Sequence, residues 1–170
     1  ATITVDRKDI ALHLIPAGIF TTGISNIITG QVYFDPEVFM EDLENVNKAL
    51  GRRVIAQLEL IVDPNLPLVL PHHKVLDLVQ NKKLGTTGKG IGPVAASFVD
   101  RYGLILRDLF EPNLESKIKD LMDRDFVFEK INKSIDTDEI SQDKLIQLFD
   151  KYHNFNNIYI SDMYKRFGDL

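Results

Sequence analysis

Leu68-Val69-Leu70-Pro71-His72-His73-Lys74-Val75-Leu76-Asp77-Leu78-Val79-Gln80 leads, after four residues, into Gly85-Thr86-Thr87-Gly88-Lys89-Gly90-Ile91-Gly92-Pro93. Leu68-Val69-Leu70 is a short apolar run ending at Pro71, and Val75, Leu76 and Val79 fall at helical spacing, so a helix is expected over His72 to Gln80. With a buried strand read at Val54 to Val62 and a break after it, a strand, a loop and a helix lead towards a glycine-rich turn, an order that implies α/β architecture. In that turn Gly85, Gly88, Gly90 and Gly92 lack a Cβ, so backbone amides can approach an anion closely, and Thr86, Thr87 and Lys89 add donors. The composition is that of a phosphate cradle, with a plain surface turn as the alternative. A helix starting near Pro93 would aim its positive end at the loop and favour the anion.

The generic nucleotide motifs do not fit. A P-loop needs four residues between its first glycine and the Gly-Lys pair, followed by Ser or Thr. Here Gly85 stands three positions before Gly88-Lys89, and Gly90 occupies the hydroxyl position. Gly88-Lys89-Gly90-Ile91-Gly92 also lacks the G-x-G-x-x-G spacing of a dinucleotide fingerprint and runs into proline.

Upstream, Thr2 to Val5 and Ile10 to Ile15 read as the strands of a hairpin around Asp6-Arg7-Lys8-Asp9, stopped by Pro16-Ala17-Gly18. Short runs at Ile24 to Ile28 and Gln31 to Phe34 predict at least one strand. Asp35-Pro36-Glu37 is a helix start: Asp35 can accept the first N–H groups, Pro36 suits the first helical position, and Glu37 favours the positive end. Val38, Phe39, Leu43, Val46 and Leu50 mark the buried side of that helix, and Gly51 its C-cap. Val54 to Val62 reads as a buried strand broken by Asp63-Pro64-Asn65-Leu66-Pro67. After the glycine segment, Val94 to Tyr102 is expected to be helical and closed by Gly103, with Leu104-Ile105-Leu106 as a short strand. The remainder is read as mostly helical, with apolar stripes at Leu114, Ile118, Leu121 and Met122 and at Leu145, Ile146, Leu148 and Phe149; Ile158 to Met163 is open between helix and strand. The organisation expected is an α/β segment over 1–110 bearing the nucleotide loop, and a mostly helical continuation of the same domain over 111–170.

The 170 residues, 44% hydrophobic and 26% charged, suit one globular core. Neither an apolar run long enough to span a bilayer nor a signal peptide is present, so no membrane partner is expected. The absence of cysteine excludes disulfides and thiolate chemistry and fits the cytoplasm. A formal charge of −5 argues against nucleic acid as a partner and leaves any phosphate contact local.

Other chemical candidates have simpler readings. His72 and His73 are neighbours whose side chains diverge, which makes them polar residues of a helix start in preference to a metal site. His13, between Leu12 and Leu14, reads as a half-exposed or satisfied strand histidine. Arg52-Arg53 follows a helix end, where the negative macrodipole end explains it. The acidic residues Asp123, Asp125, Asp136, Asp138 and Glu139 read as solvated faces and turns. No catalytic residue and no metal ligand is assigned.

Taken together, Leu70 to Asp77, Gly85 to Pro93, Arg101-Tyr102-Gly103 and Arg107-Asp108-Leu109-Phe110 resemble the central block of adenylosuccinate synthetases. His13-Leu14-Ile15-Pro16-Ala17-Gly18-Ile19 and Asp35-Pro36 are similar, in the same order, to earlier phrases of that family. The resemblance implies a P-loop-NTPase-like α/β fold, a mixed sheet with flanking helices. It also implies a GTP-dependent ligase of purine biosynthesis that joins inosine monophosphate (IMP) to L-aspartate, with Mg2+ at the phosphates. The chain is expected to be an internal portion of such an enzyme, inactive alone. The family's catalytic histidine would align at or before Ala1, and the main ligands of GTP and Mg2+ would lie outside this chain.

By the same resemblance Thr87 matches the residue that hydrogen-bonds the IMP phosphate. Arg101 matches the arginine that reaches that phosphate across a homodimer. Lys89 stands where the family often has arginine, keeping the charge without the paired-donor geometry, and with Gly88 and Gly90 is expected to contact aspartate or form the phosphate loop. Ala95-Ala96-Ser97-Phe98 departs from the family's usual tyrosine-glutamate-aspartate-lysine. The alternative is a non-catalytic relative that binds a nucleotide or a partner.

Overall fold

A left-handed residue at Arg7, φ 63°, turns the chain between two short strands, β1 (Thr2–Val5) and β2 (Lys8–Ala11). They pair antiparallel with Val5 opposite Lys8 and Thr2 opposite Ala11. Lys8 and Asp9, expected in the turn, therefore belong to the ladder. Past Ala11 the Leu12 N–H still bonds the Ala1 carbonyl at 2.7 Å, and from His13 the amides turn to a side chain, as described below. The computed structural model describes residues 1–5, 7–30, 32–50, 60–80 and 85–124. The expected cap at Gly51, residues 54–59 of the expected strand, and the elements proposed beyond 124 lie outside them.

β3 (Asn26–Ile28) and β4 (Leu60–Val62) pair in parallel, Ile27 opposite Ile61. Parallel neighbours need a crossover, and α1 (Pro36–Leu50) lies between them in the chain. Its start follows the sequence reading: Asp35 Oδ1 accepts the N–H of Glu37 at 3.0 Å and of Val38 at 3.4 Å. Phe39, Leu43 and Val46 are buried, and Phe34 meets Phe39 with ring centroids 5.0 Å apart. Val32 and Tyr33 form no strand. At the break after β4, Asp63 Oδ1 accepts the Asn65 N–H at 2.8 Å. That bond is the main reason the Asp63 carboxyl sits below its usual pKa.

From Pro67 onward the elements are α2 (Pro71–Gln80), α3 (Ile91–Val99), a 3-10 turn at Leu106–Phe110 and α4 (Leu114–Arg124). Leu68, Val69 and Leu70 are fully buried but form no regular strand. The segment is tied by a bridge from Pro67 to Ile105 and by the Leu68 N–H on the Leu104 carbonyl at 2.8 Å. The strand expected at Leu104 to Leu106 ends at that bridge, because Asp108 Oδ2 accepts the Ile105 N–H at 2.7 Å and curls the chain into the 3-10 turn. Leu114 and Leu121 of α4 are buried as expected, while Ile118 is half-buried. Ala1–Leu66 and the residues from Pro67 form two compact units, and mixed helices with small sheets make the chain α/β. No described helix is long and apolar enough to cross a membrane.

Candidate functional site

The glycine segment rests on α2, and the start of α2 explains the two histidines. Pro71 opens the helix without needing an N–H partner. His73 Nδ1 then reaches back to accept the Leu70 N–H at 3.0 Å, the part that Glu or Gln takes in a capping box. Acceptance at Nδ1 puts the imidazole proton on Nε2. The two histidines stand at a helix start as expected, and both rings are buried, 0% and 1% exposed, with centroids 4.0 Å apart. Burial, with a smaller contribution from neighbouring His72, pushes the His73 pKa down to about 2. A histidine held neutral over the physiological range is a packing and capping group.

One turn after His73, Asp77 is also buried, and its Oδ2 accepts the N–H of Gly90 at 3.0 Å. Gly90 itself has φ 76°, and a Cβ there would stand 2.9 Å from the His73 carbonyl carbon and from the Lys74 nitrogen. Only glycine allows the loop to lie this close to the α2 backbone in this conformation. Gly90 is also the N-cap residue just before α3, and no side chain caps that terminus. Earlier in the loop the Gly88 N–H bonds Thr86 Oγ1 at 3.1 Å, with Gly88 at φ 67°. The amides of Gly88 and Gly90 are thus engaged within the protein. Thr87 and Lys89 are exposed, and neither side chain bonds another described residue.

α3 spans Ile91–Val99, three residues earlier than expected at each end. It closes by a Schellman pattern: Tyr102 N–H bonds the Ser97 carbonyl at 3.1 Å and Arg101 N–H bonds that of Phe98 at 3.1 Å. The left-handed position in this pattern, normally a glycine, is Arg101 at φ 64°. Gly103, the expected closing residue, serves a different need, since a Cβ there would come within 3.1 Å of Phe98 N. Arg101 therefore stands beyond the helix, exposed, next to the exposed apolar side chains of Phe98 and Val99. An open cavity of about 330 Å³ adjoins it, lined also by Tyr102, Lys117, Asp120 and Arg124. There Lys117 is held by Asp108 at 2.7 Å and by Glu111, hydrogen bonds that raise its pKa. Arg124 lies over the Tyr102 ring, 5.7 Å from its centroid. Among the described residues Arg101 has no carboxylate partner.

A second phrase singled out in the sequence is arranged around α1. Asp42, with no exposed surface, accepts the N–H groups of His13 (2.8 Å), Leu14 (2.7 Å) and Ile15 (2.9 Å) on Oδ2. His13 Nδ1 lies 3.2 Å from Oδ1, with half of the imidazole exposed. Three consecutive amides turned onto one carboxylate carry the chain out of the β1–β2 pairing from His13 onward. Sequence reasoning missed Asp42 and Asp77 alike. Each is an acid on the buried side of a helix, and only the fold reveals the distant amides it serves.

The sequence pattern of the adenylosuccinate synthetase family matches residues 1–167. The chain belongs to the adenylosuccinate synthetase family. It is 32% identical to the adenylosuccinate synthetase of Geobacter sulfurreducens over 174 aligned positions, covering 99% of this chain and 36% of that protein. Against the synthetase of Chlorobium chlorochromatii the identity is 32%, covering 95% of this chain and 37% of the relative. With that of a Psychrobacter species it is 38% over 130 residues, 72% and 29% of the two chains. The chain thus spans about a third of the length of the curated relatives it matches. The fold agrees with that of a fully ligated adenylosuccinate synthetase from Plasmodium falciparum, with a TM-score of 0.63 at 22% identity over 99% of this chain and 40% of that one.

Proposed function

We propose that this chain holds the IMP phosphate site of an adenylosuccinate synthetase. In that reaction GTP phosphorylates the 6-oxygen of IMP, and the amine of L-aspartate displaces the phosphate to give adenylosuccinate, GDP and inorganic phosphate. The reaction belongs to cytoplasmic purine synthesis. The observation that carries the reading is the loop fixed at Gly90 against α2, with Thr87 exposed and the uncapped start of α3 behind it. A helix N-terminus without a side-chain cap favours an anion, and a threonine hydroxyl can donate to a phosphate oxygen. Because Gly88 and Gly90 spend their amides internally, the phosphate falls to Thr87 and the first turn of α3, with Lys89 supplying charge near the aspartate.

Arg101 is assigned to the IMP phosphate of a second subunit in a homodimer. Its left-handed backbone supports this assignment, because a non-glycine residue there costs about 1–2 kcal/mol relative to glycine and gains no partner within the described residues. The exposed Phe98 and Val99 beside it supply apolar surface for such a contact. GTP and Mg2+ are part of the proposed chemistry. Among the described residues no group of three His, Asp or Glu side chains is placed to hold a metal ion, so no step is derived through magnesium.

The test is calorimetric titration with IMP of the full protein that carries this chain. Thr87→Ala and Arg101→Leu should each weaken IMP binding about tenfold, the loss expected for one charge-assisted hydrogen bond. Unchanged affinity in both variants would refute the site. IMP binding without turnover when GTP, Mg2+ and L-aspartate are supplied would favour the non-catalytic relative.

A further inference from the structure

We infer that Asp77 is a positioning residue that sets the shape of the glycine loop, acting on the bound phosphate through the Gly90 amide and not by contact. The inference rests on the phosphate-loop reading above and adds a residue to it. A loop meant to bind an anion through a ring of inward amides would leave those amides open. Here the Gly90 N–H is committed to a carboxylate in a buried hydrogen bond, and the Gly88 N–H to Thr86 Oγ1. The loop's shape is therefore set before any ligand arrives, by an acceptor 13 residues away in sequence.

The backbone contact makes the Asp77 bond selective for one arrangement. With Gly90 packed 2.9 Å, at its missing Cβ, from the peptide joining His73 and Lys74, the loop cannot sink further towards α2, and the Asp77 bond keeps it from lifting away. Gly90 is also the first residue of the α3 start, so fixing its peptide fixes the direction of the helix N-terminus. The negative charge of Asp77 lies on the α2 side of the loop, where it favours the engaged amide but opposes an anion. The Gly90 N–H needs an acceptor at this position, and a carboxylate or an amide oxygen can supply one.

That distinction gives the experiment. In the full protein, Asp77→Ala removes the acceptor, and Asp77→Asn keeps an amide oxygen that can receive the Gly90 N–H without the charge. Hydrogen exchange of residues 85–92 is measured without ligand, and IMP affinity by calorimetry. Asp77→Ala should raise exchange at Gly90 and weaken IMP about tenfold while exchange in α4 and α1 is unchanged. Asp77→Asn should restore both to within about threefold of the unsubstituted protein. Equal Gly90 exchange in Asp77→Ala and the unsubstituted protein would overturn the inference, as would Asp77→Asn behaving like Asp77→Ala. If the unsubstituted protein binds no IMP, the phosphate reading fails and the exchange comparison still decides the role of Asp77. Should Asp77→Ala not fold, Gly90→Ala replaces it: the added methyl displaces the loop from α2, and unaltered exchange and affinity would contradict the inference.

Discussion

Two helices each turn a buried carboxylate onto the backbone of a distant loop, and they do so to different ends. On α1, Asp42 collects three successive amides and an imidazole nitrogen, and the loop it holds has no glycine among the residues it binds. On α2, Asp77 holds the Gly90 amide of a loop in which four of eight residues are glycine and in which Thr87 and Lys89 are exposed. Saturating a carboxylate with amides makes a rigid staple. An attachment at one residue of a glycine-rich loop, Gly90, holds that point while Thr87 and Lys89 stay exposed. On the proposed phosphate reading the first is a device of stability and the second a device of binding, although sequence presents both as an acid inside a helix.

The largest effect expected from that comparison lies at Asp42. Asp42→Ala would leave three amides without their acceptor and should destabilise the unit Ala1–Leu66 by about 3–5 kcal/mol, read as a fall in the denaturant midpoint. A loss under about 1 kcal/mol would show that water or a local shift replaces the staple, and would erase the contrast with Asp77.

Acid should then discriminate between the two regions. The folded pKa of His73, about 2, lies below the unfolded value of 6.5, so the neutral ring stabilises the fold. That stability is fully present above pH 6.5 and is lost as pH falls towards 2, because the unfolded chain takes up the proton first. Between pH 6.5 and 5 the opening free energy of α2 should fall by up to about 1.4 kcal/mol per pH unit, seen as faster hydrogen exchange after correction for the intrinsic rate. His73→Gln, which can still bond the Leu70 N–H, should remove this dependence. Persistence of the full slope in that variant would assign the titration elsewhere.

A smaller effect of opposite sign is expected at Arg101. Arg101→Gly relieves the left-handed backbone and should raise thermal stability by about 1 kcal/mol, while weakening IMP binding. A gain in stability with unchanged binding would leave the strain without a functional counterpart.

Features governed by neighbouring residues were legible in the sequence. Asp35 and Pro36 start α1 because capping is local chemistry, and Phe39, Leu43 and Val46 are buried because their spacing matches the helix. The parallel pairing of Ile27 with Ile61 was not legible, since nothing in either short run names its partner. Gly103 drew the expected end of α3, whereas the left-handed residue is Arg101; the rule favouring glycine there is energetic and can be overruled. His72 and His73 could be placed at a helix start from the sequence, but their burial could not, because it depends on covering residues that the local sequence does not name. In the candidate site the glycine segment, Thr87 and Arg101 could be named from the sequence, but the engagement of Gly88 and Gly90 could not. It depends on Thr86 turning back on its own loop and on Asp77 reaching across from α2.

The central claim is that residues 85–92 form a phosphate site whose shape exists before the ligand binds. It is tested most directly by following backbone amide resonances of the isotopically labelled full protein during titration with IMP, with inosine as the control lacking phosphate. The amides of Thr87, Lys89 and Gly92 should shift with IMP and not with inosine, while Gly90 stays protected and little changed on its Asp77 bond. Equal shifts with inosine, or no shift anywhere in residues 85–92, would contradict the account.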